Sequence, residues 1–270
     1  MVPTSPSSSP VPAPADIVAL ARDARTVAVL TGAGMSAESG VPTFRDAQTG
    51  LWARFDPMEL ATPEAWERDR AFVWAWYVWR MGLVSGARPN AGHRALARWA
   101  DAWHPRGRHV RIATQNVDDL HERAGSEVLA HVHGSLFAHR CERCDTPYED
   151  PVVTPGSPVE RIEPPSCARC GAAVRPGVVW FGEMLPEGEF AAALDAATQA
   201  DLVLVVGTSG IVHPFAGLPL AARDAGVPVV EVNPVDTELT HLVDYRWRAG
   251  AAVALPALVD AVLSAGVVGR

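Results

Sequence analysis

The 270-residue sequence contains no lysine; all 23 of its basic residues are arginine. A GC-rich coding sequence is the simplest source of that bias. Its consequence is chemical: no side-chain amine is available for acylation, and guanidinium stays protonated and is a poor nucleophile. Regulation by acylation of the chain's own lysines is therefore excluded. Positive charge is also short in sum, with 31 acidic against 23 basic residues and a net charge of −8. That balance argues against a dedicated nucleic-acid binder, which needs basic residues to displace counterions. No apolar run reaches the ~18 residues of a membrane span. The opening segment MVPTSPSSSPVPAPA lacks the basic start and apolar stretch of a signal peptide, so a cytoplasmic location is expected. Cysteine is limited to four, and with 48% hydrophobic residues a chain this long can bury a core without disulfides.

Residues 1–14 are rich in Pro and Ser and read as a disordered tail. Beyond them, short apolar runs read as interior parallel strands: Thr26 to Leu30, His109 to Ala113, Asp201 to Val206 and Pro228 to Val232. Helical segments lie between and after them, at Gly92 to Trp103, Phe190 to Ala200, Phe215 to Ala225 and Leu255 to Leu263. This alternation predicts an α/β fold with a doubly wound parallel sheet. Two stretches interrupt it. Residues 45–89 show no strand but carry Trp52, Trp66, Trp74, Trp76 and Trp79. Residues 135–179 are Pro-rich and hold every cysteine. Both read as insertions that together form a small second domain.

Cys141 and Cys144, then Cys167 and Cys170, make two C-x2-C knuckles separated by 22 residues. Such a pair supplies four thiolates to one tetrahedral Zn²⁺. Two disulfides are the alternative, and a reducing compartment argues against them. Four thiolates close the coordination sphere, so the zinc is expected to be structural, holding an insert too small to build its own core.

Gly32-Ala33-Gly34 follows the first strand, in the position of a phosphate-cradling turn. Alone it is a weak signal, because a tight turn with no ligand looks the same. The longer string GAGMSAESGVPTFR, from Gly32 to Arg45, resembles the signature of the sirtuins, the NAD-dependent protein-lysine deacylases. Further strings follow in the family's order: TQNVD from Thr114 with Leu120-His121, His133-Gly134, the paired knuckles, PGVVWFG from Pro176, Gly207-Thr208-Ser209, and Asn233. The resemblance covers about residues 15–265. It implies a Rossmann-like domain from residues 15–44, 90–134 and 180–270, with a helical insert (45–89) and a zinc-ribbon module (135–179).

The resemblance also implies the chemistry. The acyl-lysine oxygen attacks C1′ of the nicotinamide ribose, nicotinamide leaves, and the acyl group ends on ADP-ribose. The family's histidine maps to His133, and a neutral imidazole suits proton abstraction near ambient pH. Among nine histidines, His131 and His121 are the nearest competitors, and His121 reads as structural. For NAD the resemblance implies Gly32, Ala33, Gly34, Ser36, Ala37, Phe44, Arg45, Trp52, Gln115, Asn116, Val117, Asp118, Gly207, Thr208, Ser209, Asn233 and Ala251. Asn116 or Asp118 as a helix cap is compatible with that role. Val179, Trp180, Phe181 and Gly182 match the segment that pairs with an extended substrate peptide.

Tyr77 and Arg80 stand three apart on an expected helix from Asp69 to Leu83, so they share a face. An Arg and a phenol pointing into an acyl channel would bind a terminal carboxylate. This matches the Tyr-x-x-Arg pair of sirtuins that act on succinyl-, malonyl- and glutaryl-lysine. Ala47 leaves room where a bulkier residue would narrow the pocket. The competing account makes the aromatics core and Arg80 a solvated helix charge. Two other functions stay open: mono-ADP-ribosyl transfer to protein, and a zinc-ribbon adaptor, although acids around the knuckles offset the arginines there. The partners expected are acylated-lysine proteins, with neither nucleic acid nor membrane.

Overall fold

The computed structural model describes residues 12–41 and 55–264. Six strands form one sheet in the order β3-β2-β1-β6-β7-β8. They are β1 (Thr26–Thr31), β2 (His109–Thr114), β3 (Val128–His131), β6 (Leu202–Val206), β7 (Val229–Val232) and β8 (Tyr245–Trp247). Every pairing is parallel. The four interior strands are the apolar runs. Val27 and Val29 point to one face, Ala28 and Leu30 to the other, and both faces are buried. The edge strands β3 and β8 are short, partly exposed and mixed in polarity, so no continuous apolar run announces them.

Helices cover both faces. On one, α1 (Ala15–Asp23), α6 (Ala91–Trp103) and α10 (Ala251–Ser264) bury Ile17, Leu96, Trp99 and Leu258 against the sheet. On the other, α8 (Glu187–Thr198) and α9 (Leu218–Asp224) supply Ala193, Ala197, Leu218 and Ala222. The expected helix from Phe215 opens as a short 3-10 turn at Phe215–Gly217 and becomes α-helical only at Leu218. None of the helices among the described residues is long and apolar enough to cross a membrane.

The chain runs β1, β2, β3 in one direction across the sheet and β6, β7, β8 in the other. The reversal lies between β1 and β6, the place where open α/β sheets form a ligand crevice beyond the carboxyl ends of their strands. Two short helices sit at its rim, α2 (Gly34–Ala37) after β1 and α7 (Leu120–Arg123) after β2.

A third core joins the two interrupting stretches. It contains Trp66 of α4 (Pro63–Arg68), and Trp74, Trp76, Tyr77 and Met81 of α5 (Arg70–Gly86). Against them pack Leu136 of β4 (Gly134–Cys141), Val174 and Val178 of β5 (Val174–Val178), and Trp180. α3 (Pro57–Leu60) adds Leu60. Asp69 caps α5 through the Phe72 N–H at 3.1 Å. Its other oxygen pairs with Arg161, and the Ile162 N–H donates to the Ala71 carbonyl, pinning the cysteine-bearing stretch to the helix start.

Candidate active site

The two loops at the reversal are stitched together by main chain. Gly32 N–H donates to the Val206 carbonyl at 3.0 Å and Gly34 N–H to the Gly207 carbonyl at 2.7 Å. A Cβ on Gly34 would lie 2.7 Å from Gly207 Cα, and one on Gly32 would lie 2.9 Å from the Gly207 carbonyl oxygen. Gly207 itself has φ +63°. These glycines are required first by loop against loop, a reason the sequence string does not display. The floor so formed is lined by amides and hydroxyls. Gln115 donates to the Thr208 hydroxyl at 2.6 Å, Asn233 to the Thr208 carbonyl at 3.0 Å, and Asn116 to the Gly32 carbonyl at 3.0 Å. Ala33 and Ala37 are exposed on the rim.

Asp118 is buried behind them. It caps α7 by accepting the Leu120 N–H at 3.1 Å, and the Ser36 hydroxyl donates to it. Burial raises its carboxyl above the usual range, against those two hydrogen bonds. Of the roles foreseen for Asp118, the structure shows the one at the start of α7. Val117 packs toward the third core, and its carbonyl accepts the Leu136 N–H at 2.8 Å. Ser209 accepts the Glu238 N–H at 3.3 Å. Ala251 opens α10 with its side chain in the sheet core, so only its backbone can face a ligand. Phe44, Arg45, Ala47 and Trp52 lie outside the described residues.

His133 sits in the turn between β3 and β4, with Nδ1 3.2 Å from the Gln115 carbonyl. A carbonyl only accepts, so Nδ1 carries the hydrogen and Nε2 keeps its lone pair. Burial lowers the pKa, partly offset by that carbonyl, and the ring stays neutral near neutral pH. The two competitors fall away. For His131, burial works to lower the pKa but the Glu122 carboxylate, 2.5 Å from Nε2, outweighs it and favours the cation. His121 is buried with its pKa depressed to about 3 by burial and by His93 and His131.

α5 buries both Tyr77 and Arg80. Arg80 is 7% exposed, which rules out a solvated helix charge. Its guanidinium lies 5.1 Å from the Trp76 ring centroid. Burial pulls its pKa down, while Tyr77 and Asp118 push it back up. Arg80 therefore lies within electrostatic reach of Asp118, behind the amide floor. Tyr77 hydroxyl accepts the Trp180 indole N–H at 2.9 Å, and burial raises the phenol pKa, so it remains a proton donor. Trp76 and Trp74 are core, as the competing account held for the aromatics.

The segment after β5 needs a correction in detail. Val179 N–H donates to the His133 carbonyl at 2.9 Å, Trp180 N–H to Glu183 at 2.8 Å, and Phe181 N–H to the Ala61 carbonyl at 2.9 Å. Their donors are committed inside the protein, so an incoming strand would find carbonyls there. Trp180 is buried as a wall of the Tyr77 pocket, whereas Phe181 and Gly182 are exposed. Sequence reasoning missed Arg175 and Glu183. Arg175 pairs with Glu183 at 2.5 Å and stacks 3.5 Å over the Trp180 ring, holding the turn. The string WFGE contained the signal, since a carboxylate three residues after Trp180 can reach back to its N–H.

The four cysteines converge, their Sγ atoms all lying within 4.8 Å of one another. Cys141 to Cys170 is 3.4 Å and Cys144 to Cys167 is 3.8 Å, far beyond the ~2.05 Å of a disulfide. A tetrahedral ion with Zn–S near 2.3 Å needs sulfurs roughly 3.8 Å apart, so the set fits one zinc. Each knuckle ends in a left-handed residue, Asp145 at φ +52° and Gly171 at φ +72°. The Thr146 hydroxyl and N–H hold Cys144 down at about 6, favouring thiolate. Glu142 between the knuckle cysteines accepts the Trp66 indole N–H at 2.7 Å and pairs with Arg70 at 3.1 Å.

The Sir2 family model matches residues 32–214. The chain belongs to the Sir2 family. A Corynebacterium glutamicum relative, an NAD-dependent protein deacylase, is 52% identical over 242 residues, covering 90% of this chain and 93% of the relative. Two solved Sir2 homologues share the fold. One, in complex with NAD, is 42% identical with a TM-score of 0.82, covering 93% of this chain and 94% of its own. The other, a variant in complex with ADP-ribose, is 41% identical with a TM-score of 0.83, covering 95% and 99%. Apart from Asn233, the amide floor of this Sir2 member lies within the matched span, as do His133, the cysteine cluster, Tyr77 and Arg80.

Proposed function

We propose that this chain is an NAD-dependent protein-lysine deacylase that removes acetyl groups and, with preference, the acidic succinyl and malonyl groups. The observation that carries the reaction is the neutral His133, its Nε2 lone pair free, beside the amide-lined crevice. The crevice fits a dinucleotide by its chemistry, with amides and hydroxyls at a strand reversal and glycines where the loops close. NAD, when bound, supplies an electrophilic ribose carbon with nicotinamide as its leaving group. Gln115, Asn116 and Asp118 would hold the ribose and carboxamide by hydrogen bonds. His133 Nε2 would take a hydroxyl proton there, with the Gln115 carbonyl keeping the ring in the right tautomer. Trp180 and the buried helix α5 exclude water from the acyl chain. Zinc takes part in none of these steps; it holds the knuckles against α4 and α5.

The acidic preference rests on Arg80 and Tyr77. A guanidinium and a protonated phenol, both buried, form a charge-assisted grip on a carboxylate and offer an acetyl group only a cavity.

Mass spectrometry of one peptide bearing acetyl-, propionyl-, succinyl- or malonyl-lysine, with and without NAD, tests both parts. Free lysine and O-acyl-ADP-ribose should form only with NAD, and faster from the acidic acyl peptides. ADP-ribosylated protein with the acyl group untouched would replace this reading by transferase activity. Acetyl turnover outrunning succinyl would remove the acidic preference.

A further inference from the structure

Beneath the amide floor, Asn116 is backed by a run of five buried polar side chains that none of those steps uses. Thr31 and Thr114 end the adjacent strands β1 and β2 in register. Thr31 hydroxyl donates to Thr114 Oγ1 at 2.8 Å, and the Asn116 N–H donates to the same oxygen at 3.0 Å. On the far side, His121 Nε2 is 3.2 Å from Thr31 Oγ1. The His121 ring meets His93 edge to face, with centroids 4.8 Å apart. His93 Nδ1 accepts the Asn90 N–H at 3.3 Å, and the Asn90 amide donates to the Met35 carbonyl at 2.8 Å. All six of these side chains are buried.

Hydrogen counting links the tautomers to the direction of the hydroxyl pair. A hydroxyl has one hydrogen, and where Thr31 gives its own to Thr114, His121 presents Nε2–H to the Thr31 oxygen; the reverse direction would turn the Thr31 hydrogen onto His121 Nε2. His93 accepts at Nδ1, so its hydrogen sits on Nε2. The ring atoms left over are the Nδ1 lone pair of His121 and the Nε2–H of His93, both buried and outside any hydrogen bond. They are an acceptor and a donor on touching rings, an arrangement that suits two neutral imidazoles and no further proton. Burial enforces neutrality: His93 is depressed to about 4, helped by Arg94 and opposed by Glu122. His121 is depressed to about 3, helped by His93 and His131.

We propose that His121 is a positioning residue for the co-substrate: as the neutral Nε2–H form, backed by His93, it orients the Thr31 and Thr114 hydroxyls and through them the Asn116 peptide. Asn116 is the right target for such control. Its side chain also donates to the Gly32 carbonyl at 3.0 Å and reaches Ser36 Oγ at 3.3 Å. One residue thus ties the loop after β2 to the loop after β1. Space-filling alone would not need this pattern, since valine has the shape of Thr31. Valine would leave the His121 N–H without an acceptor and the Thr114 hydroxyl free to turn. The inference rests on the NAD-dependent reading above.

Two measurements test it. In the wild-type protein, nitrogen NMR of the imidazoles should show His121 and His93 as Nε2–H tautomers that do not titrate between pH 8 and about pH 5. Calorimetry with ADP-ribose should show Thr31→Val weakening binding by about three- to tenfold, the worth of a neutral buried hydrogen bond. Thr31→Ser, which keeps the hydroxyl, should restore it. KM for NAD should rise in the valine variant while KM for the acyl peptide stays constant. An Nδ1–H tautomer for His121, valine and serine variants binding alike, or an equal rise in both KM values would each overturn the proposal. A wild-type protein that binds no ADP-ribose would instead sink the NAD reading, and the NMR spectrum would still decide the relay.

Discussion

The sheet half and the knuckle half of this protein are held together by different physics. In the sheet, Val27, Val29, Leu30, Leu202 and Leu204 are wholly inaccessible and flanked by helices on both faces. Apolar burial of that kind contributes roughly 1.5–3 kcal/mol for each large side chain and needs no ligand. The knuckles have a core of four cysteines and Ala172. Without a metal, thiolates at such distances repel one another, and too little apolar surface is present to compensate. The difference shows how the site is divided. The amide floor stands on a self-sufficient scaffold, whereas the wall of Tyr77, Arg80 and Trp180 packs on a module whose cysteines fit zinc.

The largest effect should come from disrupting that cysteine site. Cys141→Ala, Cys167→Ala or prolonged chelation should release zinc, lower the melting temperature and abolish turnover of acyl peptides. Structural zinc sites contribute on the order of 10 kcal/mol to the folding of their modules. Binding of ADP-ribose should largely survive, because the sheet half does not need the metal. Equal loss of both functions would show that the two halves fold as one unit. Full zinc content in a cysteine variant would count against the four-thiolate site.

His133→Ala comes next and probes the sheet side of the seam. Its expected cost is about 10²–10⁴-fold in kcat with a melting temperature little changed, since His133 is only part-buried and its ring meets the sheet core at Phe215, with centroids 6.4 Å apart. In the wild type, burial places the histidine pKa below 6.5. The rate should therefore hold as pH falls to that value and decline only below it. An acid limb above pH 6.5 would point to another base.

Arg80→Met and Tyr77→Phe probe the same seam from the insert side. Succinyl-lysine turnover should fall by about tenfold or more, the worth of a charge-assisted hydrogen bond, and acetyl-lysine turnover much less. Equal losses would make the pair structural.

The smallest effect comes from pH. His93 and His121 have folded pKa values of about 4 and about 3 against 6.5 when unfolded. The unfolded chain binds more protons below 6.5, so stability present above that pH is lost as pH falls toward the folded values. Between pH 7 and pH 6 the pair should cost on the order of 1 kcal/mol, read as a lower melting temperature with zinc still bound. Their neighbours Arg94, Glu122 and His131 set how steep the loss becomes. A melting temperature flat down to about pH 5 would show that these rings are not held neutral by the fold.

Much of this was legible along the chain, because the relevant signals are local. Interior strands appear as apolar runs, helix α5 puts Tyr77 and Arg80 on one face by its period, and paired C-x2-C knuckles carry their ligand geometry in their spacing. The edge strands β3 and β8 escaped because partly exposed strands need no unbroken apolar run. Tertiary structure alone decided the rest. Only folding sets Gly34 against Gly207, which explains the glycine better than any ligand does. Only folding buries Arg80 within reach of the Asp118 field, commits the Val179 and Phe181 amides to His133 and Ala61, and strings His121, Thr31 and Thr114 beneath Asn116. Those partners are separated by tens to more than a hundred positions. Periodicity reports which face of an element seeks burial, and it holds no information about which distant side chain will be met there.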